Sequence, residues 1–510
     1  MTIGRREFLA GLGGLAAAPA FVTPARAQLA IADGITAGDV MPDSAVIWAR
    51  TNISSKIVVN WSLDSDFRDA KRVDGPIATA RTGGTAQLVL NGLPSGREIF
   101  YRVHFETPDG GASTPAIGRL VTPGPGRDMS FVFGGDQCGA GWGINPEWGG
   151  LKIFETMLGT RPDFLIHLGD RIYADRIIHE EVRLPDGRKW KNLGTPAKRE
   201  GAQTIGQFRG NYSYNFLDEH YRKFSAEVPM LATWDDHEIM NNWWPDRRLT
   251  WKQQHRKGYA HKDTAPLITR GRQAFFEFTP MRRNASELDR IYRVIPCGPL
   301  ADVFMLDTRS YRGPNTRNRQ GSADDDTTIL GAKQVEWLKN ALQQSKAVWK
   351  IIANPQPLAH VRKKPRPRYD QWANGDTGAP LGRELEAAEI LSFIKRHGVR
   401  NTVWLAADVH YSAAFRFDPG RAVFQDFNPF WEFISGPFHT RPGRVRNFDK
   451  TFGPERHFRT PIAPIINPPP SDGFLYFGHA KIDAKTGALR VTFRDLNDRT
   501  LFSRTLEPST

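Results

Sequence analysis

The chain has 510 residues, 40% hydrophobic and 24% charged, with a formal net charge of +14 and two cysteines. That length exceeds what one hydrophobic core usually fills, so two domains are expected. The balance excludes a disordered or collagen-like chain, and two cysteines cannot build a disulfide framework, although a single Cys138–Cys297 bridge stays open.

Residues 1–27 read as an export signal. Arg5 and Arg6 open the stretch RREFLAG, an apolar run follows from Phe8 to Val22, and Ala25-Arg26-Ala27 offers a small-residue cleavage site. The arginine pair predicts passage through the Tat translocase and a periplasmic or secreted mature protein. Three arginines leave with one glutamate, which lowers the charge to about +12. No later run reaches the roughly 18 apolar residues of a membrane helix.

Residues 28–122 show short alternating runs, among them DSAVIWAR, KIVVNWSL, IFYRVHFET and AIGRLVTP, with turn residues between them. They predict an immunoglobulin- or fibronectin-like β-sandwich with no catalytic residues. Thr122–Arg127 (TPGPGR) reads as a linker. From residue 128 to 510 strands alternate with amphipathic helices, expected over Leu330–Gln344 and Arg383–His397, which indicates α/β architecture. The tail returns to strands as a hairpin closing a sheet. Basic residues gather in Val361–Arg368 and between Arg247 and Arg272, a solvated surface or a field that draws in anions. No nucleic-acid-binding motif occurs.

Five apolar runs in this second part end in ionisable or amide residues: FVFGGDQC, DFLIHLGDRIYAD, PMLATWDDHEIMNNWW, VWKIIANPQ and TVWLAADVHYS. Parallel strands place such ends at one edge of a sheet, where α/β folds keep their sites. Asp170, directly after its strand, can bridge two cations, and the phenolate of Tyr173 suits Fe(III). Asp136 is a candidate ligand of the first metal, with the Cys138 thiol as another. Asp236 is the candidate for a second metal. His237 is the candidate general acid, its tautomer set by Asp235 or Glu238. In an extended segment Asp408 and His410 project to one side and reach both metals. Asn354 and Gln356 offer neutral oxygens. Arg309, near Asp307, can clamp phosphate or form a structural ion pair.

The order D-x-C, GDxxY, DDHE, NPQ, DVH resembles the calcineurin-like metallophosphoesterase superfamily. HLGDRIYAD, WDDHEIMNN, LDTRSYR, DVHYSA and GITAGDVMPDSAVIWART resemble, more narrowly, its alkaline phosphatase D (PhoD-like) family across nearly the whole mature chain. The resemblance implies a four-layer α/β-β/α core, a dinuclear centre with iron and calcium, and phosphomonoesterase or phosphodiesterase activity. That family sets a cysteine directly after the first strand as an iron ligand. Here a gap-free reading puts Asp136 there, as in purple acid phosphatases, and a two-residue slide restores Cys138. The expected ligands are Asp136 or Cys138, Asp170, Tyr173 and His410 for Fe(III), and Asp170, Asp236, Asp408 and Asn354 for a divalent ion (Ca2+, with Zn2+ or Mn2+ as alternatives). The expected substrate is a phosphate ester. A phospholipase D-like phosphodiesterase and a non-catalytic polyanion-binding envelope protein are the alternatives.

Overall fold

The computed structural model describes residues 28–184, 186–361, 370–444 and 447–509. The predicted export signal, residues 1–27, and nearly all of the basic tract Val361–Arg368 lie outside the described residues.

Two sheets stack face to face. The first has nine strands, in the order Thr500–Leu506, Leu489–Asp495, Tyr476–Ile482, Met129–Gly134, Phe164–Leu168, Met230–Thr233, Ile31–Met41, Ser44–Thr51 and Thr85–Asn91. The second has seven: Arg293–Cys297, Ala301–Met305, Trp349–Ala353, Thr402–Ala406, Phe430–Ile434, Ala413–Phe417 and Pro454–Arg459. In each sheet the central strands run parallel.

The continuous apolar runs of these strands are explained by burial on both faces. Phe131 and Phe133 enter a core shared by the two sheets, while Val132 between them faces the opposite way, under the helices. Likewise Ile351 joins the shared core and Ile352 the core beneath the helices Ala332–Gln344 and Glu384–Arg396. Helix, sheet, sheet and helix therefore form the four expected layers. Both predicted helices are present, each two residues shorter than its periodic stretch. The tail forms a three-strand meander whose Tyr476–Ile482 strand pairs antiparallel with Met129–Gly134, closing that side of the sheet as expected.

One expectation changes, and the open question of the cysteine bridge is answered. The N-terminal region is a sandwich around its own core, with Lys71–Ala78, Ser55–Ser62, Glu98–Glu106 and Ala116–Val121 as one sheet. Its other sheet, however, is continuous with the nine-stranded one, through the pairing of Gly38 with Met230. A Cβ at residue 38 would lie 2.1 Å from the Pro280 carbonyl oxygen, so only glycine allows this approach. The two cysteines are free, buried thiols in different cores, and no bridge joins them. Among the described residues, no helix is long and apolar enough to cross a membrane.

Candidate active site

Because the central strands are parallel, their C-terminal ends deliver the polar residues to one edge. Asp136 and Asp170 follow neighbouring strands of the first sheet, and Asp235 and Asp236 follow the next. Asn354, Asp408 and His410 follow adjacent strands of the second sheet. Asp136, Asp170, Asp408 and His410 all have left-handed backbone, with φ of 69°, 54°, 63° and 56°. Non-glycine residues held there are uncommon and gather at functional sites. Asp408 and His410 thus lie in a bend, not in the extended segment predicted. The amide of Val409 donates to the Ala407 carbonyl at 2.7 Å, which tightens the chain there.

Glu238 ties the loops together. Its carboxylate accepts the backbone N–H of Asp170, Arg171 and Asp235 at 3.1, 2.7 and 2.9 Å. It is a structural buckle and does not touch the His237 ring as expected. The loops can approach because residue 169 is glycine: a Cβ there would meet the Asp235 Cβ at 2.5 Å.

Three overlapping groups of potential ligand atoms result, each with its atoms within 4.8 Å of one another: Asp136, Asp170 and His410; Asp170, Asp236 and His237; and Asp235, Asp236 and Asp408. Tyr173 joins the first, its hydroxyl 3.0 Å from His410 Nε2 and 3.5 Å from Asp136 Oδ1. Its ring stacks on His237 with centroids 4.1 Å apart. His410 is oriented by Nδ1, 2.9 Å from the Arg441 carbonyl.

The electrostatics suit cations. Burial, then repulsion from Asp236, Asp235, Glu238 and Asp136, lifts the Asp170 carboxyl well above the usual carboxylate range. Burial and the Asp170 and Asp136 charges raise the Tyr173 phenol in the same way. Asp136 Oδ2, Asp235 Oδ2, Asp236 Oδ1 and Asn354 Oδ1 are buried acceptors with no hydrogen-bond donor among the described residues. Acceptor-only oxygens packed this closely carry a large desolvation and repulsion cost, which a bound cation relieves. The donor set therefore fits metal ions.

His237 completes the chemistry. Its Nδ1 lies 2.5 Å from Asp175 Oδ1, so Asp175, and neither Asp235 nor Glu238, sets the tautomer. Burial lowers the affinity of the ring for a proton, but the Asp236 and Asp175 charges outweigh it and the pKa is raised. A cleft of about 450 Å³ opens above these groups, lined by Asp170, Tyr173, Asp236, His237, Asp408 and His410. Its walls also carry Arg176, His179, Asn242 and Arg441, which sequence reasoning did not single out. Asn242 lies in the run PMLATWDDHEIMNNWW, four residues past Glu238, and its backbone N–H donates to Asp236 Oδ2 at 2.6 Å.

Several predicted site residues belong elsewhere. Cys138 lies in the hydrophobic core, its thiol pushed up to about 12 by burial, and it joins no group of potential ligands among the described residues. Arg309 is fully buried and does not line the cleft; it pairs with Asp235 and Asp370 at 2.7 and 2.8 Å, so it is not a phosphate clamp. Asp307 accepts the Trp234 indole N–H and the backbone N–H of Arg309 and Ser310, a turn role. Gln356 spends its amide on Asp370 and Arg312. Asn354 donates its amide N–H to the Gln356 carbonyl and keeps Oδ1 available.

Comparison with known proteins supports the fold and identifies the family. Alkaline phosphatase D of Bacillus subtilis (strain 168) is 27% identical over 458 residues, covering 81% of this chain and 72% of the relative. The structure of PhoD superposes with a TM-score of 0.67 at 19% identity, over 96% of this chain and 94% of that one. Purple acid phosphatase PPD1 from yellow lupin (Lupinus luteus) seeds shares the fold with a TM-score of 0.57 at 12% identity, over 94% and 74%. The profile of the N-terminal domain of PhoD-like phosphatases matches residues 15–124, and that of the PhoD-like phosphatase itself residues 131–493. With that match spanning well over half of the sequence, the chain belongs to the PhoD-like phosphatase family and is a phosphoric ester hydrolase.

Proposed function

We propose that the cleft holds a dinuclear metal centre that hydrolyses phosphate esters outside the cytoplasm. The observation that carries this reading is the set of buried carboxylate oxygens without donors in overlapping three-residue groups. Family membership leaves the non-catalytic polyanion-binding alternative without support.

Asp136, Asp170, Tyr173 and His410 would hold the first ion, and Asp170, Asp236, Asp408 and Asn354 the second, with Asp170 shared. The phenol favours Fe(III) at the first position, and the all-oxygen second set favours a hard divalent ion such as Ca2+. Bound there, two ions supply Lewis acidity to the phosphoryl group and make water acidic enough to attack at neutral pH. The protein does the rest. His237, with Nδ1 held by Asp175, presents Nε2 to the cleft and gives its proton to the departing ester oxygen. Arg176 and Arg441 line the rim and favour an anionic ester over a neutral one.

Metal analysis of protein purified without added metal tests the reading, combined with turnover of one phosphomonoester and one phosphodiester. Two ions per chain and loss of turnover on chelation are expected; a preference for the diester selects the phosphodiesterase alternative. The oxidised holoenzyme should be coloured by phenolate-to-Fe(III) charge transfer. Tyr173→Phe should bleach most of the band and Cys138→Ser should leave it. If Cys138→Ser removes the colour instead, the thiol is the iron ligand. A colourless, fully active protein rejects Fe(III) at the first position.

Export by the Tat pathway is part of the same proposal and rests on Arg5 and Arg6. Replacing both with lysine is expected to strand the precursor in the cytoplasm. Normal appearance of that variant outside the cytoplasm would show that the signal is read by another route.

A further inference from the structure

Beside Asp235 and Asp236, which share the third of these groups, lies a charge arrangement that the hydrolytic chemistry does not use. The Arg309 guanidinium donates through Nε to Asp235 Oδ1 at 2.7 Å, and through Nη1 and Nη2 to the two oxygens of Asp370 at 3.0 and 2.8 Å. The same Nη2 is 4.0 Å from Asp236 Oδ2. One nitrogen therefore has two carboxylates in reach, and Asp370, the nearer, takes it.

Asp370 is fixed for that task. It accepts from Gln356 Nε2 at 2.8 Å and Asn315 Nδ2 at 2.9 Å, and its backbone carbonyl accepts from Arg312. Burial opposes its charge, but Arg309 and Arg312 outweigh burial and hold the carboxyl well below the usual range. It lies in none of the three groups of potential ligands and does not line the cleft.

We propose that Asp370 is a positioning residue for the second metal site, holding Arg309 Nη2 off Asp236, whose Oδ2 already accepts the Asn242 N–H, so that Oδ1 stays available to the cation. This rests on the two-ion reading above. Without the Asp370 charge, the guanidinium can turn about its Asp235 contact and place Nη2 on Asp236. Arginine does not deprotonate inside proteins, so the rearranged side chain is a permanent cation competing for a ligand. The first site, built on Asp136, Tyr173 and His410, lies outside its reach and should be unaffected.

The test is a titration of the metal-stripped full-length protein with Mn2+, followed by calorimetry and by the electron spin resonance of unbound Mn2+. Wild type should take two ions. Asp370→Asn should keep one ion and bind the other about tenfold more weakly or worse, the scale of losing an outer partner of a metal ligand. Arg309→Met combined with Asp370→Leu removes the competing cation together with its counter-ion and should return the second ion to within about threefold of wild type. A merely structural Asp370 predicts the opposite order, because the double variant discards more native contacts. Two ions held normally by Asp370→Asn, or a double variant as weak as the single one, overturns the inference. If Asp370→Asn does not fold, the double variant decides alone, and second-ion binding more than about tenfold weaker than wild type overturns it. A wild type that takes one ion removes the two-ion reading and this inference with it.

Discussion

Asp170→Ala is expected to abolish hydrolysis and to lower the content of both metals together. Removing one electrostatic contact from a transition state costs about 10²–10³ in rate; here both ions lose a ligand, so a loss beyond about 10³-fold in kcat/KM is expected. Asp170 is the residue shared by the first and second groups of ligand atoms, and its Oδ1 also accepts the His237 backbone N–H at 3.1 Å. The fold should survive. Asp170 sits among Asp236, Asp235, Glu238 and Asp136, so neutralising it relieves repulsion in the metal-free protein. Comparing metal-free wild type and variant by thermal unfolding, the variant should melt within a few degrees of wild type. Loss of only one ion, or activity near wild type, would show that Asp170 does not bridge.

His237→Gln should lower kcat by about 10²–10⁴, the usual contribution of a positioned general acid. The size must depend on the leaving group. An ester of an acidic phenol departs without a proton and should lose least, whereas an alkyl ester needs the His237 Nε2 proton and should lose most. Asp175→Asn should show the same dependence with a smaller loss, because it disturbs only the tautomer and orientation held by the 2.5 Å Nδ1 contact. A variant that loses the same factor on every ester would assign His237 to binding the phosphoryl group and not to proton transfer. Metal content should stay at two ions; a fall would make His237 a ligand, as its place in the second group allows.

The residues that mattered most were visible as strings. An apolar strand that ends in a charged residue is a local pattern, and five of them implied one sheet edge because parallel strands share their direction. Asp136, Asp170, Tyr173, His237, Asp236, Asp408 and His410 could all be proposed in this way, and the structure brings them together. Cys138 could not be separated from Asp136 by sequence, since the two are neighbours but one. Backbone decided it: φ is positive at Asp136, Cys138 and Ala140 in turn, and the winding sends the carboxylate to His410 and the thiol into the core.

Charge partners were the other gap. Arg309 was read beside Asp307 because they are two residues apart, yet its guanidinium answers to Asp235 and to Asp370, 74 and 61 residues away in sequence. Asp175 ended a quoted run without a role until the fold brought it against His237. The N-terminal strands read as a separate sandwich, because a sheet shared between two regions leaves no local trace: the Gly38–Met230 pairing joins residues far apart in the chain. Local order, the strand ends and the donor types follow from short-range preference and periodicity, and the sequence by itself determined them. Which carboxylate faces a metal, which arginine is buried to balance it and which acid orients the histidine depend on distances between residues remote in the chain. Those choices were made only by the tertiary structure, because the cost of burying a charge is settled by the neighbours that folding brings to it.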